Sequence, residues 1–223
     1  MTPSDDSHRA AVEEMLQHVA KAVHDHRVLK AMRAVPREEF VPPKVRRYAY
    51  EDAALPIGEG QTISQPLIVG IMTEALALEG DEHVLEIGTG SGYQAAILAR
   101  LARDVVTVEI IDALREQAER NLRRLGVANV VVRPAGPILG APEFAPYDAI
   151  IVTAVAPAVP PALVEQLKVG ARLVIPVGGQ TDDQELLLVT RTPAGVTEHS
   201  LGGVRFVPLR GPGGFSDAAP GTL

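Results

Sequence analysis

From about residue 66 onward, the chain alternates between short runs of β-branched and aliphatic residues and longer stretches whose apolar residues recur at helical spacing. The short runs predict strands, and the stretches between them predict helices. This alternation is typical of an α/β fold in which parallel strands are joined by helical crossovers. The predicted strands lie near residues 83–88, 104–109, 129–133, 147–153, 171–177 and 185–190, and the predicted helices lie near residues 66–78, 92–102, 112–125 and 160–168.

The two ends of the chain follow different patterns. Between Arg9 and about Arg33, apolar residues recur at helical spacing, which predicts an N-terminal helical extension. Residues 184–192 and 203–209 read as strands without a helix between them, which predicts an antiparallel edge on the sheet. We therefore divide the chain into a helical region and loop packed on the core at 1–65, a Rossmann-like core at 66–210 and a disordered tail at 211–223.

Composition narrows the partners of such a domain. The formal charge of the 223-residue chain is −7, which argues against a broad electrostatic grip on nucleic acid. The first thirty residues lack the apolar core of a secretion signal, and no apolar run reaches the roughly 18 residues that a bilayer span requires. The chain has no cysteine, and we expect a cytoplasmic monomer that binds no metal ion.

The most informative segment joins a buried-looking strand to a Gly-rich turn and then to a helix. From Glu86 to Gly92 it follows the pattern acidic-x-G-x-G-x-G. Glycines at alternate positions tolerate positive φ and allow a ligand to approach the backbone. A dinucleotide fingerprint beginning at Gly88 would need glycine at position 93, where this chain has Tyr93. The turn therefore predicts a nucleotide-type cofactor other than a dinucleotide.

Two acidic residues identify the cofactor more closely. Glu86 lies at the end of the strand before the turn, where a carboxylate repels diphosphate and favours the ammonium group of a sulfonium ligand. Glu109 ends the next apolar run, where a carboxylate can accept hydrogen bonds from ribose hydroxyls. Together the two acids predict an S-adenosylmethionine site. The alternative is that the glycines only form a tight turn.

Five segments are more distinctive than their secondary structure requires. They are Val35–Val41 (VPREEFV), Gly60–Pro66 (GQTISQP), Glu86–Gly92 (EIGTGSG), Ile150–Ala154 (IIVTA) and Arg205–Leu209 (RFVPL). In these segments the chain resembles the protein-L-isoaspartate (D-aspartate) O-methyltransferase family, over about Met32 to Leu209. The segment GQTISQP is the most specific, because methyltransferases in general lack it.

The resemblance implies both a fold and an activity. The fold is that of a class I S-adenosylmethionine-dependent methyltransferase, with a mostly parallel, doubly wound sheet. The activity is transfer of a methyl group from S-adenosylmethionine to the α-carboxylate of L-isoaspartyl residues in damaged proteins or peptides. The resulting ester closes to a succinimide, whose hydrolysis returns some normal aspartyl linkage. The implied partners are isoaspartyl proteins or peptides.

The same resemblance assigns roles to individual residues. Ser64 matches the family's catalytic serine, acting as a hydrogen-bond donor that orients the acceptor and not as a covalent nucleophile. Val207 and Pro208 match positions that offer backbone groups to an extended peptide. The alternative for Thr62 and Ser64 is capping of the helix that begins near Pro66. The residues assigned to the cofactor are Thr62, Ile63, Ser64, Glu86, Gly88, Thr89, Gly90, Gly92, Glu109 and Gly136.

Three places depart from the family pattern. After the third strand the family usually carries Gly-Asp-Gly, with the Asp at the adenine, whereas this chain has Ala135-Gly136-Pro137. Ala141 replaces a common tryptophan, and Arg210 replaces a common threonine. These departures leave two alternatives open. One is a weakened homologue that binds isoaspartyl-type peptides, and the other is a carboxyl methyltransferase with a different acceptor.

Overall fold

The computed structural model of the chain describes residues 3–181 and 183–215. Nine strands and six helices follow one another along it. The strands are β1 Leu55–Gly58, β2 Gln61–Ile63, β3 His83–Ile87, β4 Asp104–Glu109, β5 Val130–Pro134, β6 Tyr147–Val152, β7 Leu167–Gly178, β8 Gln184–Thr192 and β9 Gly195–Val204. The helices are α1 Pro3–Val19, α2 His26–Ala34, α3 Pro66–Leu76, α4 Tyr93–Leu98, α5 Asp112–Arg124 and α6 Pro161–Gln166.

A seven-stranded sheet with the order β5-β4-β3-β6-β7-β8-β9 forms the centre of the molecule. The pairs from β5 to β7 are parallel, and the pairs β7-β8 and β8-β9 are antiparallel, as the sequence pattern predicts. Leu85 on β3, Val105 on β4 and Ile150 on β6 have no exposed surface, because helices cover both faces of the sheet.

The direction of winding reverses at β3. The chain proceeds from β3 outward to β4 and β5, and then returns to place β6 on the other side of β3. In doubly wound sheets, ligands bind at the carboxyl ends of the strands beside such a reversal. The ends of β3, β4 and β6 therefore mark the place where a site is expected.

The N-terminal extension consists of two helices instead of one continuous helical region. The backbone leaves α1 after Val19, and α2 begins after Asp25, whose carboxylate accepts a hydrogen bond from the N–H of Arg27 at 2.8 Å. Helix α3 packs closely against this extension at Gly70, where an added Cβ would lie 2.9 Å from a methyl carbon of Val19. The two helices therefore pack against α3, with a break between them that the periodicity did not reveal.

The C-terminal part differs from the sequence prediction in its boundaries. The last strand, β9, ends at Val204, so the prediction of a strand over 203–209 is wrong. Pro208 lacks an N–H for a ladder, and the segment is held instead by single bonds, from the N–H of Val155 to the carbonyl of Val207 and from the N–H of Leu209 to the carbonyl of Val155. Residues 211–215 of the predicted tail fold back in a turn, and residues 216–223 lie outside the described residues.

Two kinds of feature are absent from the described part of the chain. No helix there has both the length and the apolar character that crossing a bilayer requires. No group of three or more His, Cys, Asp or Glu side chains is placed to hold a metal ion within the described ranges.

Candidate active site

The Gly-rich loop after β3 has the backbone geometry that its glycines predict. Gly88, Gly90 and Gly92 have φ angles of 95°, 54° and 89°. At Gly88 a side chain is also excluded by space, because a Cβ would lie 2.5 Å from the hydroxyl oxygen of Thr153. That hydroxyl donates to the carbonyl of Gly88 at 2.7 Å, so the end of β6 fixes the loop in place.

Gly92 has a structural position in the loop. It lines neither the cavity beside Glu109 nor the one beside Glu86, and its contact with the cofactor stays a prediction. A Cβ there would lie 3.3 Å from the Cβ of Ala118 on α5, so glycine allows the two elements to approach. The side-chain amide of Asn121, also on α5, donates to the carbonyl of Ser91 at 3.0 Å and fixes the same turn from behind.

Glu109, at the end of β4, presents a carboxylate held by backbone donors. It accepts hydrogen bonds from the N–H groups of Gly90 at 2.8 Å and of Ile110 and Ile111 at 3.0 Å each. The residue lines an elongated cavity, which we call the long cavity, together with Gly88, Gly90 and Gly136. Its carboxylate retains acceptor capacity for a hydroxyl group in that cavity.

The far end of the long cavity is apolar. Ile110 and Ile138 line it with 47% and 55% of their surface exposed, although both are large aliphatic residues. Gly136, at the place of the family's aspartate, supplies no acid, and Arg210 lines the same cavity. Ala141 is buried and donates its N–H to Gln166 at 3.0 Å, without lining this cavity.

Glu86 lies in a smaller, narrow cavity beside the same loop, together with Thr62, Ile63, Ser64 and Thr89. Its side chain has no exposed surface. One oxygen accepts a hydrogen bond from the hydroxyl of Thr107 at 2.6 Å, and the other, Oε1, has no partner among the described residues. Burial raises the pKa of Glu86 to about 8, the Thr107 bond opposes this rise, and the charge of Glu109 adds to it.

Ser64 lies where the narrow cavity meets a wide groove, and it lines both. Its hydroxyl forms no hydrogen bond with another described residue. The capping alternative for Thr62 and Ser64 is wrong, because the first turn of α3 is capped by Asp52, whose carboxylate accepts from the N–H of Leu67 at 2.9 Å. The Ser64 hydroxyl is therefore available to a ligand.

The wide groove runs between residues 181 and 183–185 on one side and residues 203–207 on the other. Of the two residues predicted to bind a peptide, Val207 lines it and Pro208 lines the long cavity instead. The carbonyl of Val207 already accepts from the N–H of Val155 at 2.9 Å. Val207 can still offer an extended peptide its N–H, for which the described residues supply no acceptor, and the second lone pair of its carbonyl.

Thr153 is a site residue that the sequence analysis did not single out. Together with Thr62 it lines the long cavity, the narrow cavity and the wide groove. The sequence placed Thr153 in the distinctive segment Ile150–Ala154, at the end of a predicted strand. Only the fold shows that this strand lies beside β3.

A doubly wound sheet with a Gly-rich loop after β3 and a carboxylate at the end of β4 defines the class I S-adenosylmethionine-dependent methyltransferases. Within this class, the family model described as Protein-L-isoaspartate(D-aspartate) O-methyltransferase matches residues 8–213. The chain belongs to the protein-L-isoaspartate (D-aspartate) O-methyltransferase family.

Individual relatives agree with this membership. The chain is 54% identical over 211 residues to Protein-L-isoaspartate O-methyltransferase 2 of Marinobacter nauticus, covering 94% of this chain and 95% of the relative. It is 50% identical over 216 residues to the Protein-L-isoaspartate O-methyltransferase of Dictyoglomus thermophilum, covering 97% of each. A solved protein-L-isoaspartate O-methyltransferase structure matches with a TM-score of 0.82 and 32% identity, covering 91% of this chain and 67% of that one.

Proposed function

We propose that this chain transfers a methyl group from S-adenosylmethionine to the α-carboxylate of L-isoaspartyl residues in damaged proteins and peptides. The observation that carries the proposal is the position of Ser64. Its free hydroxyl stands between a narrow cavity that contains a buried carboxylate and a wide groove that is open to a polypeptide. Membership of the family supports the reaction class.

The residues present fit S-adenosylmethionine, which supplies an electrophilic methyl group when bound. The unpartnered oxygen of Glu86 is a buried acceptor that a cationic ammonium group would satisfy. Glu109 would accept from ribose hydroxyls, and the apolar end of the long cavity would enclose the adenine. The described residues therefore provide a contact for the ammonium group, the ribose and the adenine of the ligand.

The proposed chemistry needs positioning more than proton transfer. A free α-carboxylate has a reference pKa near 3.5, so it is already ionised at neutral pH and requires no general base. Ser64 would donate a hydrogen bond that orients this carboxylate in the groove. The reaction then gains mainly from holding the reacting atoms about 3 to 3.5 Å apart. Ring closure of the ester to the succinimide proceeds without the protein.

Two of the three departures from the family pattern lie at the adenine end of the site, and the third, Ala141, is buried outside the long cavity. Gly136 and Arg210 line the long cavity, and neither lines the wide groove. The alternative of a different acceptor therefore loses its structural motivation. The alternative of a peptide-binding homologue with weak cofactor affinity keeps its structural motivation, because position 136 has no acidic side chain. Titration with S-adenosylhomocysteine separates the two functions, because a binding module would take up the peptide without the cofactor product.

Methylation of paired peptides tests the proposed function. The purified chain is incubated with methyl-labelled S-adenosylmethionine and an isoaspartyl peptide, beside the same peptide with a normal aspartyl linkage. We expect label in the isoaspartyl peptide alone. Absence of label in both peptides, or equal label in the two, refutes the proposal.

A further inference from the structure

Arg37 is a fully buried cation behind the active site. It lies in a short 3-10 helix, Arg37–Phe40, and its side chain has no exposed surface. Its guanidinium donates from Nε to the carbonyl of Ala49 at 2.8 Å and from Nη2 to the carbonyl of Ser64 at 2.7 Å. A longer contact of 3.4 Å joins Nη2 to the carbonyl of Ala53. One side chain thus holds both ends of the 49–64 segment, which carries Ser64.

The charge of the Arg37 guanidinium is surrounded mainly by neutral groups. Arg37 forms no salt bridge with a carboxylate of the described residues, and its Nη1 has no hydrogen-bond partner there. Burial lowers the pKa of Arg37, and the neighbouring Tyr93 opposes this effect. Its hydrogen bonds go only to neutral carbonyls, and the charge of Asp52 acts on it without a direct contact. Burying a charge without a paired carboxylate is costly, and apolar residues of similar volume would often fill the space at lower cost. Packing alone therefore gives no reason for an arginine here.

The same guanidinium also contacts the cofactor side of the site. Its central carbon lies 4.9 Å from the ring centroid of Tyr93, within the range of a cation–π contact. Tyr93 is the first residue of α4, directly after the Gly-rich loop, and it lines the narrow cavity with Glu86. Arg37 therefore contacts the segment that presents Ser64 and the helix that follows the cofactor loop.

We propose that Arg37 is a positioning residue, which sets the distance and orientation of Ser64 relative to the cofactor loop through the 49–64 segment. This inference rests on the proposed function. The planar fork of arginine reaches the Ala49 and Ser64 carbonyls at once, in fixed directions, whereas the compact ammonium group of lysine offers no such fork. The cation–π contact with Tyr93 holds the fork against α4. Displacement of the segment would move the Ser64 hydroxyl away from the acceptor.

The test compares Arg37→Met, Arg37→Lys and the native chain, with Arg172→Met as the matched control. Arg172 also donates to one carbonyl, that of Ala75 at 3.0 Å, but it pairs with the start of β6, at the end of the sheet away from the site. Measurements are kcat and KM with the isoaspartyl peptide, the Kd of S-adenosylhomocysteine, and hydrogen exchange of residues 49–64. Activities are given per folded molecule.

We expect Arg37→Met to lower kcat by roughly 10- to 100-fold, as a misplacement of about 1 Å can, while the Kd of S-adenosylhomocysteine changes by less than about threefold. Exchange should rise in residues 49–64 more than in β7, and Arg37→Lys should recover part of kcat. If Arg37→Met does not fold, Arg37→Lys serves for the same comparison. Arg172→Met should leave kcat unchanged.

Three results overturn the inference. They are an unchanged kcat, a loss of cofactor affinity as large as the loss of kcat, and an exchange increase that is uniform along the chain. If the native chain methylates no peptide, the proposed function fails. Hydrogen exchange of residues 49–64 in Arg37→Met, compared with the native chain, then tests by itself whether Arg37 holds this segment in place.

Discussion

At the residue scale, the Glu86 carboxyl group couples cofactor binding to pH. With a pKa of about 8 it is mostly protonated in the free chain at neutral pH, and an ammonium ligand favours its ionised form. We expect the Kd of S-adenosylhomocysteine to fall by about tenfold per pH unit between pH 6 and 8, because one proton must leave. Calorimetry across this range measures the slope. Glu86→Gln should bind more weakly at pH 8 and show a flat profile, and an equal slope in both proteins would contradict the assignment.

The same proton affects the stability of the free chain in the opposite direction. The ordinary pKa of the glutamate is 4.5, so between about 4.5 and 8 the folded state holds a proton that the unfolded state has lost. The stabilisation is complete below about pH 4.5 and is lost as the pH rises through about 8. Denaturant unfolding of Glu86→Gln should therefore show a smaller decline over this window than the native chain. A parallel decline would mean that another group causes it.

The Ser64 hydroxyl is expected to act through one hydrogen bond to the acceptor carboxylate. Replacement by alanine removes one hydrogen bond to a charged acceptor, worth about 1.5 to 3 kcal/mol, so kcat should fall by roughly 10- to 100-fold. Steady-state kinetics with the isoaspartyl peptide measure this. The exposed Ser7 on α1 provides the control, since Ser7→Ala makes the same chemical change away from the site. An unchanged kcat in Ser64→Ala would remove Ser64 from the mechanism.

Gly136 allows the missing acid to be restored. Its φ angle lies outside the range that favours glycine, and a Cβ would approach only the carbonyl of Ile138, at 4.0 Å. We expect Gly136→Asp to tighten binding of S-adenosylhomocysteine by roughly 10- to 100-fold, the effect of one charged hydrogen bond. Gly136→Asn keeps the size without the charge and should gain less. Equal affinities for all three proteins would show that the adenine is held in another way.

At the scale of elements, Gly92 tests whether the loop glycines share one role. A side chain there would adopt a φ of 89° and press on Ala118 of α5, which costs about 1 to 3 kcal/mol. Gly92→Ala should therefore lower Tm by about 2 to 10 °C and leave the Kd of S-adenosylhomocysteine within about threefold. Gly126→Ala is the control, because its φ is 69° and nothing lies within 4 Å. A large loss of affinity in Gly92→Ala would instead support the predicted cofactor contact.

Sequence periodicity predicted the elements whose burial follows one pattern. The central strands β3, β4 and β6 were predicted within about two residues, because strands buried on both faces form continuous apolar runs. The break between α1 and α2 depends on long-range bonds, in which the carboxylate of Glu74 accepts from the N–H groups of His24 and Asp25 at 2.6 Å each. Contacts of that kind leave no trace in local spacing.

The site shows the same division between what the sequence reveals and what it does not. Glu86 and Glu109 were found because each closes an apolar run before a turn, and both line cavities. Thr153 and Arg37 were not singled out, because their importance comes from contacts with segments distant in the chain. Arg37 donates across 27 positions to the carbonyl of Ser64, and only the folded backbone shows this.

At the scale of the whole molecule, the predicted division at residue 65 does not separate two cores. Leu16, Val19 and Met32 share one buried cluster with Tyr93 and Ile97. The cofactor walls likewise come from both sides of that boundary. We expect one calorimetric unfolding transition. S-adenosylhomocysteine at about 100 times its Kd should increase the free energy of unfolding by about 2.7 kcal/mol and raise Tm by about 5 to 10 °C. Two transitions, with only one responding to the ligand, would show independent parts.

The side-chain amide that steadies the Gly-rich loop has a consequence for ageing. The chain has two asparagines, Asn121 and Asn129, and no Asn or Asp in it is followed by Gly. The Asn121 amide is occupied by the Ser91 carbonyl, and the Asn129 amide donates to the Ala99 carbonyl at 2.9 Å. In deamidation the backbone nitrogen of the next residue attacks the side-chain carbonyl carbon, so the side chain must rotate toward that nitrogen. Hydrogen bonds restrain both side-chain amides from this rotation. The two asparagines of this isoaspartyl methyltransferase are thus held in positions that slow the reaction by which isoaspartyl residues form from asparagine.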